Sequence, residues 1–206
     1  MNVSQAIAGL VKAYGAEYAF TLTGGPQSPL MEMQLRHGIR TILGRSERSA
    51  FAMADAYARI TGKPTFGLAQ YGCGTAYLPF AMIDAFWAHS PIVAINSATD
   101  SATNNKYEYQ EMEQAPLFQN CTKWCGDLPA PDRILDVLRT AIRAAVEGTP
   151  GPVYLSFPWT GTASRWATSA KCTQTSRLRT RRSCAPRRCL RTSSAPPLRS
   201  RGPSAP

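Results

Sequence analysis

The sequence predicts an α/β fold: an open, mainly parallel sheet of about six strands with helices on both faces, followed by a basic tail. Three observations predict it. Short apolar runs alternate with longer segments of helical period through most of the chain, the pattern of strands buried on both faces between crossover helices. Glycine and proline punctuate the boundaries between these segments. The charge is also divided. Of 206 residues, 23 are Lys or Arg and 13 Asp or Glu. Residues 1–163 hold 12 of the basic residues and all 13 acids, and residues 164–206 hold the other 11 basic residues and no acid. The formal net charge of +10 therefore belongs to the tail, because the body alone has a net charge of −1. Residues 1–163 are about one domain's worth, enough to bury a core without disulfides or a metal.

Residues 3–14 place Val3, Ile7, Leu10, Val11 and Tyr14 on one helical face, and Gly15 stops the helix. Tyr18 to Leu22 reads as a strand that breaks at Thr23-Gly24-Gly25-Pro26. A short helix over Pro29 to Arg36 closes at Gly38, and Ile39 to Leu43 reads as the next strand. Ser46 offers a capping hydroxyl to a helix from Glu47 to about Ile60, with Phe51, Ala54 and Ala58 facing inward and Gly62 and Pro64 ending it. A strand at 65–70, a turn Tyr71-Gly72-Cys73-Gly74, a helix near 75–88 and a strand at 91–96 follow. After a polar loop, Pro131-Asp132 opens a helix carrying Ile134, Val137, Leu138, Ile142 and Val146 at three- and four-residue steps. Val153 to Phe157 is the last strand.

No stretch approaches the roughly 20 apolar residues of a membrane helix, and the N-terminus reads as an amphipathic helix rather than a leader. The expected compartment is the cytoplasm. Cys73, Cys121 and Cys125 in the body and Cys172, Cys184 and Cys189 in the tail form no regular framework. Cys121 and Cys125 have no nearby His, so they read as ordinary thiols rather than a zinc site.

In sheets of this kind ligands bind outside the carboxyl ends of the strands. Three loops fall there: Thr23-Gly24-Gly25-Pro26, Gly44-Arg45-Ser46-Glu47 and Tyr71-Gly72-Cys73-Gly74. Their glycines permit close approach of a ligand or serve as tight turns. Gly72-x-Gly74 is followed by Tyr77 where a dinucleotide fingerprint needs glycine, and no P-loop or nucleophile elbow occurs. His37 and His89 have no Ser or Cys partner in sequence. Glu47 remains, either as a first-turn acid stabilising its own helix or as a functional carboxylate.

The stretch from Arg45 to Pro64, RSERSAFAMADAYARITGKP, resembles the RHEQGAAFMADGYARATGKP signature of thiamine-diphosphate enzymes of the acetolactate synthase type. The similarity continues in register. Phe20 to Gly25 resembles FGxPGG, Ile83 to Ala88 resembles LADAYAD, and Ser90 to Ile95 resembles VPLVAI. Tyr109-Gln110-Glu111 resembles FQE, Thr122-Lys123-Trp124 resembles TKW, and Gly148 to Leu155 resembles GRPGPVYL. It covers about residues 3–160 and corresponds to the family's N-terminal, pyrimidine-binding domain.

The resemblance implies thiamine diphosphate as cofactor and a 2-oxo acid as substrate, with Glu47 as the cofactor-activating, catalytic residue. A carboxyl group bonded to a pyrimidine ring nitrogen favours the imino form of the neighbouring amine, which takes the thiazolium proton. The resemblance also puts Gly24, Gly25, Gly72, Cys73, Gly74 and Tyr77 around the pyrimidine and makes Gln110 the active-site glutamine. Ser46, Cys73 and Tyr77 stand where the family has His, Pro and Asn. These departures bear on substrate and reaction rather than on the cofactor, and decarboxylase and carboligase both stay open.

The family's magnesium and diphosphate are held by a further domain with a Gly-Asp-Gly motif. Here Gly126-Asp127 is followed by Leu128. The expectation is therefore half of a site, with no metal ligands of its own, completed in a homodimer or by pairing with a diphosphate-domain chain. Residues 164–206 lack Ile, Val, Phe, Tyr, Met, Asp and Glu, a composition that does not fold. The tail reads as disordered, and one explanation is an out-of-frame extension of a truncated enzyme. The alternatives are a nucleic-acid-binding protein using the tail's cations and a non-catalytic partner subunit.

Overall fold

The structure is a computed structural model that describes residues 2–158 other than 25–27, 101 and 129. Six strands form one sheet: β1 (Tyr18–Thr21), β2 (Arg40–Leu43), β3 (Thr65–Leu68), β4 (Ile92–Ala98), β5 (Trp124–Asp127) and β6 (Val153–Pro158). Their order is β2-β1-β3-β4-β6-β5, and every pairing is parallel. The tail, 164–206, lies outside the described residues.

Side chains alternate across the sheet with period two, so the strands feed two separate cores. On one face Ala19, Phe66, Leu68, Val93, Ile95, Val153, Leu155 and Phe157 pack with helices α1 (Val3–Ala13), α2 (Ser28–His37) and α6 (Ile134–Val146). On the other, Phe20, Ile92, Ala94 and Tyr154 pack with α3 (Glu47–Thr61) and α5 (Leu78–Trp87). Neighbours within a strand thus report to opposite layers, and this is why the central strands are apolar at consecutive positions.

Local chemistry sets the helix ends. Asn2 and Gln5 make a reciprocal capping box at the start of α1, and Ser46 and Ser49 do the same for α3. Gly62 ends α3 in the left-handed conformation, φ 67°. Against the sheet, α3 lies close because β3 has a glycine under it. A Cβ on Gly67 would fall 2.5 Å from Phe51 Cζ.

Three expectations need correction. The region read as a polar loop contains β5, an edge strand paired only with β6. Its sequence, Trp-Cys-Gly-Asp, has no β-branched residue and no alternation, so pairing with β6 rather than propensity makes it a strand. The helix expected near 75–88 begins earlier, after Gly72 (φ 67°), and is divided into α4 (Cys73–Ala76) and α5; Tyr77 between them keeps helical backbone angles, and Pro79 has no N–H to donate back to the first turn. The strand expected at 65–70 ends at Leu68.

The order of strands locates a crevice. The chain leaves β1 toward β2 on one side, and leaves β3 toward β4 on the other. Between the carboxyl ends of β1 and β3 the two connections diverge, the place where open α/β sheets bind ligands.

Candidate active site

The cluster at that crevice is built from the residues that follow β1, β2 and β3, and one long loop. Glu47 is the first residue of α3, presented by the Ser46 cap. It is only 9% exposed, and the N-terminal end of its helix favours a negative charge there. Its carboxylate lies against Gly74, where a Cβ would sit 2.7 Å from Oε1. None of the ion pairs among the described residues involves it.

Gln70 occupies the centre. Its Cβ packs on Gly74, opposite the Glu47 carboxylate, and its Oε1 lies beneath Gly24, 2.9 Å from where a Cβ would stand. Its Nε2 donates to Gln110 Oε1 at 3.1 Å, and its buried Oε1 has no hydrogen-bond partner among the described residues. Gln110 in turn donates from Nε2 to the exposed Cys73 thiol, at 2.8 Å. The backbone of Gln110 rests on Gly72, where any Cβ would fall 2.3 Å from the Gln110 carbonyl oxygen.

A buried bracket holds the turn between β3 and α4. The Ala69 N–H donates to Asn96 Oδ1 (3.1 Å), Asn96 Nδ2 to Thr75 Oγ1 (2.9 Å), and Thr75 Oγ1 to the Gln70 carbonyl (2.9 Å). Asn96 and Thr75 are fully buried. Beside them Tyr154, stacked on Phe118 with centroids 3.7 Å apart, has its hydroxyl pushed well above the usual tyrosine range by burial.

Of the residues singled out in the sequence, the structure brings together Gly24, Glu47, Gly72, Cys73, Gly74 and Gln110. Gly25 lies outside the described residues. Tyr77 does not join the cluster: its side chain is on the surface, 58% exposed, and it is tied to the turn through its backbone N–H to the Gly74 carbonyl. The inward path at that position is taken by Thr75 and Leu78, both fully buried. Sequence reading missed Gln70, Thr75 and Asn96. The available signal was a polar amide just past the end of, or inside, a mostly apolar strand, as in the run Ile92–Ala98 with Asn96 after four apolar residues.

The loop that delivers Gln110 is unusual. Asn105, Tyr107 and Gln110 all have φ near +60°, a region non-glycine residues enter at a cost. The Glu111 carboxylate accepts backbone N–H groups from Asn105 and Glu108, which lowers its pKa, Asn105 contributing most. Two clefts adjoin this loop. One of about 390 Å³ is lined by Asn104, Tyr107, Glu108 and Glu111. The other, of about 490 Å³, is lined by Thr99, Gln114, Asp127 and Ser156. Glu47 lines neither of these two clefts. Among the described residues no three His, Cys, Asp or Glu side chains are grouped to hold a metal ion.

Fold and cluster together define a doubly wound α/β domain with a carboxylate-, amide- and glycine-lined crevice at its first switch point. Residues 1–117 match the model of the thiamine pyrophosphate enzyme, N-terminal TPP binding domain, and the chain belongs to that family. It is 34% identical over 154 residues to 2-hydroxyacyl-CoA lyase 2 of Mus musculus, covering 75% of this chain and 24% of the relative. It is 32% identical to the catabolic acetolactate synthase of Raoultella terrigena, covering 72% and 26%. The thiamine diphosphate-dependent 4-hydroxybenzoylformate decarboxylase of Rhodococcus jostii RHA1 shares the fold, with a TM-score of 0.75 at 24% identity, over 80% of this chain and 31% of that one. The chain spans about a quarter of the length of the curated relatives it matches.

Proposed function

We propose that this chain supplies the pyrimidine-binding half of a thiamine-diphosphate site in an enzyme that decarboxylates or ligates 2-oxo acids, with Glu47 activating the cofactor. The observation that carries the reading is Glu47 itself: a carboxylate withdrawn from bulk water at the β2–α3 junction, with no cation paired to it among the described residues. A carboxyl group kept for structure alone is usually matched by a nearby cation or several donors. The names of the relatives include a lyase, a synthase and a decarboxylase, which agrees with chemistry at the bond next to a carbonyl.

The residues present fit the pyrimidine portion of the cofactor. A single acid faces a surface where Gly24 and Gly74 leave out side chains, beside amides that donate and accept. When bound, thiamine diphosphate supplies the electron sink for making and breaking carbon–carbon bonds beside a carbonyl. Glu47 would hold the hydrogen bond from its carboxyl oxygen to a pyrimidine ring nitrogen and so set which nitrogen carries the proton. Gly24, Gly72 and Gly74 would let backbone approach the ring, with Cys73 at its rim. Gln110 would face the substrate side as a neutral donor and acceptor. Magnesium and the diphosphate would be held by a second domain, in a partner copy or a separate chain.

The test is the Glu47→Gln variant, which keeps shape and removes the acid. The purified chain is combined with thiamine diphosphate, magnesium and a diphosphate-domain partner, and turnover of a 2-oxo acid is measured. Glu47→Gln is expected to lower the rate by about 10²- to 10⁴-fold while the melting temperature moves little. Equal rates for the native chain and the variant would overturn the assignment.

A further inference from the structure

We propose that Gln70 is a positioning residue for this site: its amide fixes Gln110, and with it the 104–111 loop, over the Glu47 cluster. The importance of the contact for catalysis rests on the reading that Gln110 faces the substrate; the contact itself does not. Three observations converge on Gln70. It touches three members of the cluster, with its Cβ on Gly74, its Oε1 under Gly24 and its Nε2 on Gln110 Oε1. Its Oε1 is buried without a partner among the described residues, a cost that an apolar side chain of the same length, such as Met, would not carry. The loop it holds contains three non-glycine residues at positive φ within six positions, Asn105, Tyr107 and Gln110, so it needs an anchor on the body of the domain.

The anchor also sets polarity. An amide has a donor end and an acceptor end. Because Gln70 Nε2 donates to Gln110 Oε1, the Gln110 Nε2 is turned toward Cys73. Without the Gln70 donor nothing on the body selects that orientation, and Gln110 is left with the exposed thiol and the glycine beneath its backbone. Gln70 would therefore act through Gln110, deciding which end of that amide the site presents.

The experiment uses the full chain without cofactor. Native protein, Gln70→Met, Gln110→Ala and the double variant are compared by iodoacetamide alkylation of Cys73, resolved from the other cysteines by peptide mass spectrometry. Amide exchange over 104–111 and thermal melting complete the set. Each single variant is expected to raise both Cys73 alkylation and loop exchange by about threefold or more, and the double variant to add nothing further. Gln70→Met is expected to melt at or above the native temperature, because the orphaned acceptor is gone. A residue that only stabilised the fold would instead lower the melting temperature and leave the loop alone. Unchanged alkylation and exchange in Gln70→Met, or additive effects in the double variant, would overturn the proposal. If Gln70→Met does not fold, Gln110→Ala decides: no change there in Cys73 or the loop is equally fatal. Failure of this test leaves the Glu47 reading standing, and failure of the Glu47 experiment leaves the coupling intact.

Discussion

Glu47 and Gly74 show how little space surrounds the candidate acid in this crevice. The carboxylate and the Gln70 side chain approach Gly74 from two sides, each 2.7 Å from the position of an added Cβ. A methyl group there must displace the mobile partner, which is the end of the Glu47 side chain, or shift the rigid one, the Gln70 Cβ. Gly74→Ala is therefore expected to cost about 1–3 kcal/mol of stability, measured by denaturant unfolding, and to weaken thiamine-diphosphate binding by the assembled site. The cysteines offer a second contrast. Burial pushes the Cys121 thiol from 9.0 up to about 11, whereas Cys73 is exposed at the cluster. At pH 8 iodoacetamide should label Cys73 in the folded chain and spare Cys121, the two becoming equal in denaturant; labelling of Cys121 under native conditions would contradict the buried site.

Among the elements, the β3–α4 turn and the 104–111 loop contribute most to the site, and they are stabilised in different ways. The turn is held from below by the Asn96–Thr75 bracket, which lies in the core and carries no charge. The loop is held by a carboxylate on the surface. Glu111 accepts backbone N–H groups, so its pKa in the folded chain lies below the ordinary value of 4.5. A depressed folded pKa means that this contribution is fully present above 4.5 and is lost as pH falls through the lower folded value. Amide protection at Asn105 and Glu108, corrected for intrinsic exchange, should therefore hold at pH 6 and fall progressively below pH 4.5, while the central strand β4 stays protected. Glu111→Gln should remove the pH dependence. The two clefts beside this loop would change shape with it, since residues 104–111 supply much of the lining of the smaller one.

At the scale of the molecule, an open sheet gathers loops from several strands at one edge but leaves the far side of the crevice to whatever is placed opposite. The Glu47 cluster has the acid and the amides, and the described residues contain no group of three or more His, Cys, Asp or Glu side chains placed to hold a metal ion. Isothermal titration of the chain with thiamine diphosphate and magnesium is expected to show weak or no binding alone and clear binding once a diphosphate-domain partner is added. Tight stoichiometric binding by the chain alone would contradict the half-site. No helix among the described residues is long and apolar enough to cross a membrane.

Much of this was legible along the chain. Apolar runs such as Tyr18 to Leu22, the Ser46 cap and the glycines at 38 and 62 announce their strands and helix ends, because capping, φ preference and periodicity are set by residues a few positions apart. The candidate acid was legible for the same reason, standing at the start of a helix that follows a strand. What stayed hidden depends on strand order. β5 is a strand only because β6 lies beside it. Tyr77 faces solvent because Thr75 and Leu78 take the inward direction. Gln70 meets Gln110 across 40 residues of sequence, a contact made only when the sheet sets the end of β3 beside a loop that leaves β4. Short-range chain chemistry was enough for most of the elements and for the place of Glu47 at the start of its helix; β5 and the company Glu47 keeps were settled by long-range packing, since the free energy of those contacts exists only after the strands have paired.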